Sequence, residues 1–149
     1  MSDINFYHIK NTAIENALLM LLQKTLSSDK KAILRCYNHS LMEHYDQALW
    51  TVQKNAFLPH GTLKDGFPEK QPIYITTEDD NPNNADFLFV SAFASVENIE
   101  NFERIFILFE DKDPEAVSWA RDLWKQNKEA DHKQIYWLQN EAGQWEKKG

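Results

Sequence analysis

Residues 105–109 read Ile-Phe-Ile-Leu-Phe and residues 87–90 read Phe-Leu-Phe-Val, and these two apolar runs decide the fold class. Both are of strand length, and polar residues bound each of them. A strand that is apolar on both faces is typical of the centre of a sheet that is covered by helices on each side. We therefore expect a central sheet between two helical layers.

The segment before these runs predicts a strand, a helix and a second strand. Residues 4–9 are rich in β-forming side chains, and residues 12–26 carry apolar side chains at three- and four-residue steps. Asn11 or Thr12 is the expected helix cap, and residues 32–37 form the next apolar run. This spacing is typical of a right-handed βαβ unit in a parallel sheet.

The remaining elements continue the alternation. We expect a second helix at residues 41–50, capped by one of the three polar residues before it, and then a long exposed loop at residues 61–72. Residues 73–76 return to β character, residues 79–84 are a strong turn cluster, and residues 96–102 predict a short helical step.

The last third of the chain predicts a helix followed by two strands. Asp113 is placed to cap a helix that reaches about residue 130, with a proline at its first position. Residues 134–139 and 144–146 read as a strand and a short return strand. The sum is an α/β chain with a Rossmann-like three-layer fold, a mostly parallel central sheet and helices on both faces, expected to form one domain over residues 1–149.

Composition limits the function classes. The chain has 149 residues and a formal net charge of −7, which argues against a uniformly basic nucleic-acid-binding surface. Cys36 is the single cysteine, so an intrachain disulfide is impossible, and a reducing cytoplasm fits this composition. No apolar run approaches membrane-spanning length, and no secretory leader is expected.

The usual signatures of catalysis are missing. There are four glycines, and the turn after the first strand lacks the glycine-rich loop that lets backbone amides approach a phosphate. Cys36 with His39 as a thiol and base, and the acidic residues 78–80 as a cation site, are both weaker interpretations than a buried thiol and a solvated turn. We expect no cofactor and no metal. A small α/β enzyme acting on a nucleotide or phosphate ester stays as the competing hypothesis.

An apolar loop follows the second helix. Trp50, Phe57, Leu58 and Pro59 lie in a probable connecting segment, where large apolar side chains either cap the core or form a contact surface. A third interpretation makes Trp50, Phe57 and Tyr74 stacking platforms for single-stranded DNA.

The helix that begins at residue 113 carries a basic stripe. Arg121, Lys125 and Lys128 recur at steps of four and three beside Trp124, and Val117 adds apolar surface. One interpretation is a solvated face whose cations pair with the acids of the same helix. The other is a site for an acidic peptide with an aromatic or apolar end, held by charge-assisted hydrogen bonds.

Several motifs occur together in an order that resembles the chi subunit of bacterial DNA polymerase III. They are Phe-Tyr at residues 6–7, Ala-Leu-Trp at 48–50, Phe-Leu-Pro-His at 57–60, Asn-Pro-Asn at 81–83, and Arg-x-x-Trp-Lys at 121–125. The resemblance covers nearly the whole chain. It implies an accessory clamp-loader subunit with a Rossmann-like fold, no catalytic activity of its own and only indirect contact with DNA.

The resemblance also implies two partner surfaces. One is for the psi subunit, or a helicase that competes with it, and its matching residues are Trp50, Phe57, Pro59 and His60. The other is for the acidic, phenylalanine-ending tail of single-stranded DNA-binding protein, and its residues are Arg121, Trp124 and Lys125, with Lys128 and Val117 on the same helix.

Overall fold

The computed structural model describes residues 3–51, 61–62, 68–97, 99–100, 102–129 and 133–148, and of residues 50, 51, 68 and 129 it describes the backbone. Helices follow the first, second and fifth strands, and a short 3-10 helix at Pro68–Lys70 precedes the third strand. No described helix separates the third, fourth and fifth strands or the last two. The elements are β1 Asp3–Ile9, α1 Ile14–Ser27, β2 Ala32–Arg35, α2 His39–Thr51, β3 Ile73–Thr76, β4 Phe87–Val90, β5 Arg104–Glu110, α3 Pro114–Glu129, β6 Lys133–Gln139 and β7 Trp145–Lys147.

The strands form one sheet in the order β3-β2-β4-β5-β1-β6-β7. All neighbouring strands run parallel except β6 and β7, which are antiparallel. The two apolar runs of the sequence are β4 and β5, and both lie inside the sheet. The prediction of a mostly parallel sheet around them is confirmed.

The two faces of β5 explain its uninterrupted apolar sequence. Phe106 and Leu108 pack into a cluster with side chains of α1 and α2. Ile105, Ile107 and Phe109 point to the opposite face, into a cluster with α3. Because complete burial of each such side chain contributes roughly 1.5 to 3 kcal/mol, both helical layers are needed to cover the sheet. The three-layer α/β arrangement is confirmed.

Two helices begin at the caps that their sequences predict. The Asn38 side-chain oxygen accepts a hydrogen bond from the Leu41 amide at 2.9 Å at the start of α2. The Asp113 carboxylate accepts one from the Ala116 amide at 3.2 Å at the start of α3. Each bond satisfies an amide that has no partner within the first helical turn.

Helix α1 begins differently from the prediction. Its N-cap is Ala13, which makes no side-chain capping bond, so the expected cap at Asn11 or Thr12 was wrong. The Asn11 amide donates to Gln139 Oε1 at 2.9 Å, and Gln139 Nε2 donates to Thr12 Oγ1 at 3.2 Å. The turn after β1 is therefore bound to the end of β6, because tertiary contacts outweigh the local capping preference.

β1 and β2 are parallel strands of one sheet joined through α1, and β5 and β4 lie between them. Two other expectations need correction. Gly61 and Thr62 are buried, and Gly61 bridges Tyr74 at the edge of the sheet, so these two residues are not exposed loop. The described residues between 96 and 102 form a turn rather than a helix. Of the helices in the described ranges, none is long and apolar enough for a membrane crossing.

Candidate functional site

A cavity of about 600 Å³ lies between helix α3 and the end of the sheet formed by β1, β5 and β6. These elements meet there because β6 and β5 are the two neighbours of β1 and α3 connects β5 to β6. Its lining residues are His8, Lys10, Asp111, Arg121, Trp124, Lys125, Tyr136, Leu138 and Lys148.

Trp124 forms an aromatic wall of the cavity. Its half-buried ring meets Phe6 edge-on with the ring centroids 5.3 Å apart, and it meets Tyr136 edge-on at 5.8 Å. The Gln134 side-chain amide donates to the Trp124 backbone carbonyl at 3.0 Å. Edge-to-face pairs of this kind add about 0.5 to 1.5 kcal/mol beyond burial, so the wall is held in place before any ligand arrives.

The cavity is locally basic in an acidic protein. Lys10, Arg121, Lys125 and Lys148 line it, and among the described lining residues Asp111 is the one carboxylate. Arg121 and Lys125 are exposed and lie one helical turn apart on α3. A group of cations at a concave site attracts an anionic ligand even when the net charge of the molecule has the opposite sign.

His8 joins two other lining residues at the base of the cavity. Its ring is buried, with Nδ1 2.7 Å from the Tyr136 hydroxyl and Nε2 2.7 Å from an Asp111 carboxylate oxygen. A neutral imidazole with its proton on Nε2 satisfies both bonds, because the hydroxyl donates to Nδ1 and Nε2–H donates to the carboxylate. Burial raises the pKa of Tyr136. The nearby charge of Arg121 partly offsets this increase, and the charge of Asp111 adds to it, so the phenol is neutral at pH 7.

A second groove of about 360 Å³ adjoins the cavity along α3. Arg121 and Lys125 line both concavities, and Val117 lines the second. Lys128 is exposed and lines neither of them. Of the α3 residues that the sequence predicts, Arg121, Trp124 and Lys125 line the cavity, Val117 lines the groove beside it, and Lys128 lines neither.

The solvated-face interpretation of the basic stripe requires pairs with neighbouring acids. Among the described side chains, neither Glu115 nor Asp122 lies within 4.0 Å of the charged groups of Arg121, Lys125 or Lys128. The side chain of residue 129 lies outside the description. The cations that face the cavity are therefore not neutralised by those two acids of their own helix.

Sequence reasoning missed the residues that the cavity takes from outside α3. Three of these residues come from different elements: His8 lies in β1, Asp111 directly follows β5, and Tyr136 lies in β6. No short sequence motif contains all three. One signal was available: His8 is a buried polar residue in an apolar strand, two positions after Phe6, and side chains two apart share a face. Lys10 and Lys148 carried no comparable signal.

The other surface suggested by the resemblance falls largely outside the described ranges. Phe57, Pro59 and His60 all lie there. The backbone of Trp50 belongs to the last turn of α2, and its side chain is not part of the description.

The structure also bears on the alternative interpretations: a reactive cysteine, a DNA-stacking surface and a metal site. Burial raises the pKa of Cys36 to about 12, so its sulfur is a thiol at neutral pH and is not an activated nucleophile. Tyr74 is only 3% exposed, so its proposed role as a stacking platform was wrong. Across the described residues, no group of three or more potential metal ligands converges.

Comparisons with known proteins agree on one family. A family model described as "DNA polymerase III chi subunit, HolC" matches residues 1–134. A Rickettsia prowazekii (strain Madrid E) protein named "Probable DNA polymerase III subunit chi" is 35% identical over 115 residues, which span 72% of this chain and 70% of that protein. The family match ends just before Tyr136, so Leu138 and Lys148 also lie beyond it.

Proposed function

The chain belongs to the DNA polymerase III chi subunit family, and from that premise we propose that it is a non-catalytic adaptor in DNA replication. Membership makes it an accessory subunit of a DNA polymerase III complex. In the proposed role it works in the cytoplasm and bridges two partners. A psi subunit, or a helicase competing for the same surface, binds one side, and the acidic tail of single-stranded DNA-binding protein binds the other.

The observation that supports tail binding is the basic, aromatic-walled cavity beside α3. An acidic tail that ends in phenylalanine needs an apolar surface for its ring and cations for its carboxylates. Trp124 supplies the first, and Arg121 and Lys125 supply the second. Lys10 and Lys148 extend the cationic lining toward the remaining acids of the tail. A volume of about 600 Å³ lies within the usual range for small-ligand sites, so it accommodates the end of a peptide.

A calorimetric titration tests this assignment. The ligand is an acidic peptide with a C-terminal phenylalanine, and the variants are Arg121→Ala, Lys125→Ala and the matched control Lys128→Ala, which removes a cation of α3 outside the cavity. Loss of a charge-assisted bond of roughly 1.5 to 3 kcal/mol weakens binding about 10- to 150-fold. We expect this for Arg121→Ala and Lys125→Ala, and less than about a threefold change for Lys128→Ala. Equal affinity of wild type and Arg121→Ala would refute the site.

The second surface is tested separately. Trp50, Phe57, Pro59 and His60 support the psi or helicase assignment through their match to the family motif. We expect Phe57→Ala to lose the co-purifying clamp-loader partner while it retains the affinity of the protein for the tail peptide. Arg121→Ala should show the reverse pattern. Loss of both partners in either folded variant would contradict two independent surfaces.

A further inference from the structure

The large apolar side chains of the described residues that stand exposed are neighbours in space. Tyr37 is 61% exposed and Phe93 is 37% exposed, and their ring centroids are 6.0 Å apart in an edge-on contact. Phe93 also contacts the half-buried ring of Trp119 on α3, at 5.8 Å. We call these three residues the aromatic patch. They are absent from the lining of the basic cavity.

The backbone holds Phe93 in an unfavourable conformation. Its φ is 69°, in the left-handed region that bulky side chains seldom adopt. The other non-glycine residues described with positive φ are Asp29 and Asn84, types that tolerate this region. Backbone strain of this kind persists where the surrounding structure enforces it and is enriched at ligand contacts. Here it accompanies an aromatic ring that remains exposed.

The patch lies beside acidic segments that a buried arginine holds together. Tyr37 follows the end of β2, and Phe93 follows the end of the adjacent strand β4. Arg35, the last residue of β2, is 1% exposed and donates to the backbone carbonyls of Glu97 at 2.6 Å and Asp79 at 3.4 Å. Its charge is therefore directed inward, and the loops that carry Asp79 and Glu97 converge beside the patch.

The loops beside the patch carry acidic side chains. Glu78, Asp79 and Asp80 follow the end of β3 and Glu97 follows the end of β4, at the same end of the sheet as Tyr37 and Phe93. The Arg35 guanidinium lies 3.9 Å from the Asp79 carboxylate, and the exposed Glu97 has no ion pair among the described residues. On α3, Glu115 and Asp122 lie four residues before and three residues after Trp119, which places them on its side of the helix. Phosphates would be repelled here, whereas a cation would be attracted both to the carboxylates and to the faces of the aromatic rings.

We propose that the aromatic patch binds a basic, arginine-bearing peptide segment of a protein partner. A guanidinium group stacks on aromatic rings and accepts carboxylate partners at the same time, which suits it to this surface better than an ammonium group. The site is separate from the basic cavity and takes a ligand of the opposite charge. One molecule could then hold an acidic tail and a basic segment simultaneously.

The test uses a capped peptide with two arginines separated by one leucine, and the same peptide with each arginine replaced by neutral citrulline. Amide and Trp indole resonances of the folded protein report the site of binding. We expect saturable shifts around Tyr37, Phe93 and Trp119, and about tenfold weaker binding of the citrulline peptide. Equal binding of the two peptides would overturn the proposal.

The variants Tyr37→Ala and Phe93→Gly each remove one ring, and glycine adopts the backbone conformation of residue 93 without strain. We expect about three- to tenfold weaker peptide binding in each, and no change in the control Arg121→Ala. An oligothymidylate that shifts the same resonances would instead identify the patch as a nucleobase site. Concentration-dependent shifts with dimer formation in sedimentation would identify a second copy as its occupant. Either result, or unchanged affinity of both ring variants, overturns the proposal.

Discussion

Asn83 gives the Asn-Pro-Asn turn its structural role. It is 1% exposed, and its side-chain amide donates to the backbone carbonyls of Gln71 at 2.8 Å and Ala32 at 3.2 Å. The turn is thereby bound to the start of β2 and to the segment before β3. Removing the amide leaves buried carbonyls without this donor, a loss that costs roughly 1 to 3 kcal/mol.

We therefore expect Asn83→Ala to lower the free energy of unfolding by about 1 to 3 kcal/mol in urea denaturation. The matched control is Asn84→Gly, which changes an exposed neighbour whose φ of 51° glycine accepts readily. Its stability should stay within about 0.5 kcal/mol of wild type. If the two variants unfold at the same urea concentration, the bonds of Asn83 are not stabilising.

We expect the buried thiol of Cys36 to make the fold less stable at alkaline pH. Burial raises its pKa to about 12, whereas a thiol in the unfolded chain titrates near 8.5. The unfolded state therefore releases its proton first, so the contribution of the thiol is complete below about pH 8.5 and is lost as pH rises toward 12. At about 1.4 kcal/mol per pH unit, the loss between pH 8 and pH 10 is about 2 kcal/mol.

Urea unfolding at several pH values measures this loss. The variant Cys36→Ala lacks the thiol, so its pH dependence reports the contribution of all other titrating groups. We expect the stability of Cys36→Ala to fall about 2 kcal/mol less between pH 8 and pH 10 than that of wild type. Parallel pH profiles for the two proteins would contradict a thiol that is kept protonated by burial.

Helix α3 connects the stability of the fold with the proposed tail site. Asp113 caps its first turn, and Arg121 lies two turns further along. We expect Asp113→Ala to lower stability by about 0.5 to 2 kcal/mol while the tail-peptide affinity of the folded protein stays within about twofold. Glu115→Ala is the control, because Glu115 interacts favourably with the helix dipole in the first turn but does not cap the helix. Its loss should lower the free energy of unfolding by less than about 1 kcal/mol. A cap variant as stable as wild type would contradict the capping role.

Elements were more predictable from sequence than their arrangement. The apolar runs of β4 and β5 and the cap at Asp113 carry local signals, and the structure confirms them. The order of the strands carries no local signal, so the sequence predicts a parallel sheet that contains β1 and β2 but not the two strands that lie between them. The cavity shows the same limit: Arg121 and Trp124 share a helical repeat, whereas His8 and Tyr136 are 128 positions apart and meet only through the pairing of β1 with β6.

At the scale of the whole molecule, the charge distribution distinguishes direct binding of DNA from binding through the acidic tail of a partner protein. The net charge of −7 repels a polyphosphate. The basic cavity is local, and Debye screening limits its reach to about 10 Å at 0.1 M salt. A carboxylate inside the cavity is attracted at short range, whereas a DNA backbone outside it meets the acidic surface. An adaptor that reaches DNA through a partner's acidic tail satisfies both conditions.

The acidic tail peptide and single-stranded DNA should differ sharply in affinity for the isolated chain. In fluorescence anisotropy at about 0.1 M salt, we expect the acidic tail peptide to bind with roughly micromolar affinity and a labelled oligothymidylate to show no saturable binding at about a hundredfold higher protein concentration. Raising the salt tenfold should weaken peptide binding several-fold, because screening reduces the attraction of Arg121 and Lys125 for its carboxylates. Lys125→Ala should flatten this salt dependence, and Lys128→Ala should leave it nearly unchanged. Saturable binding of the oligothymidylate to the isolated chain at the peptide's affinity would replace the adaptor with a direct DNA binder.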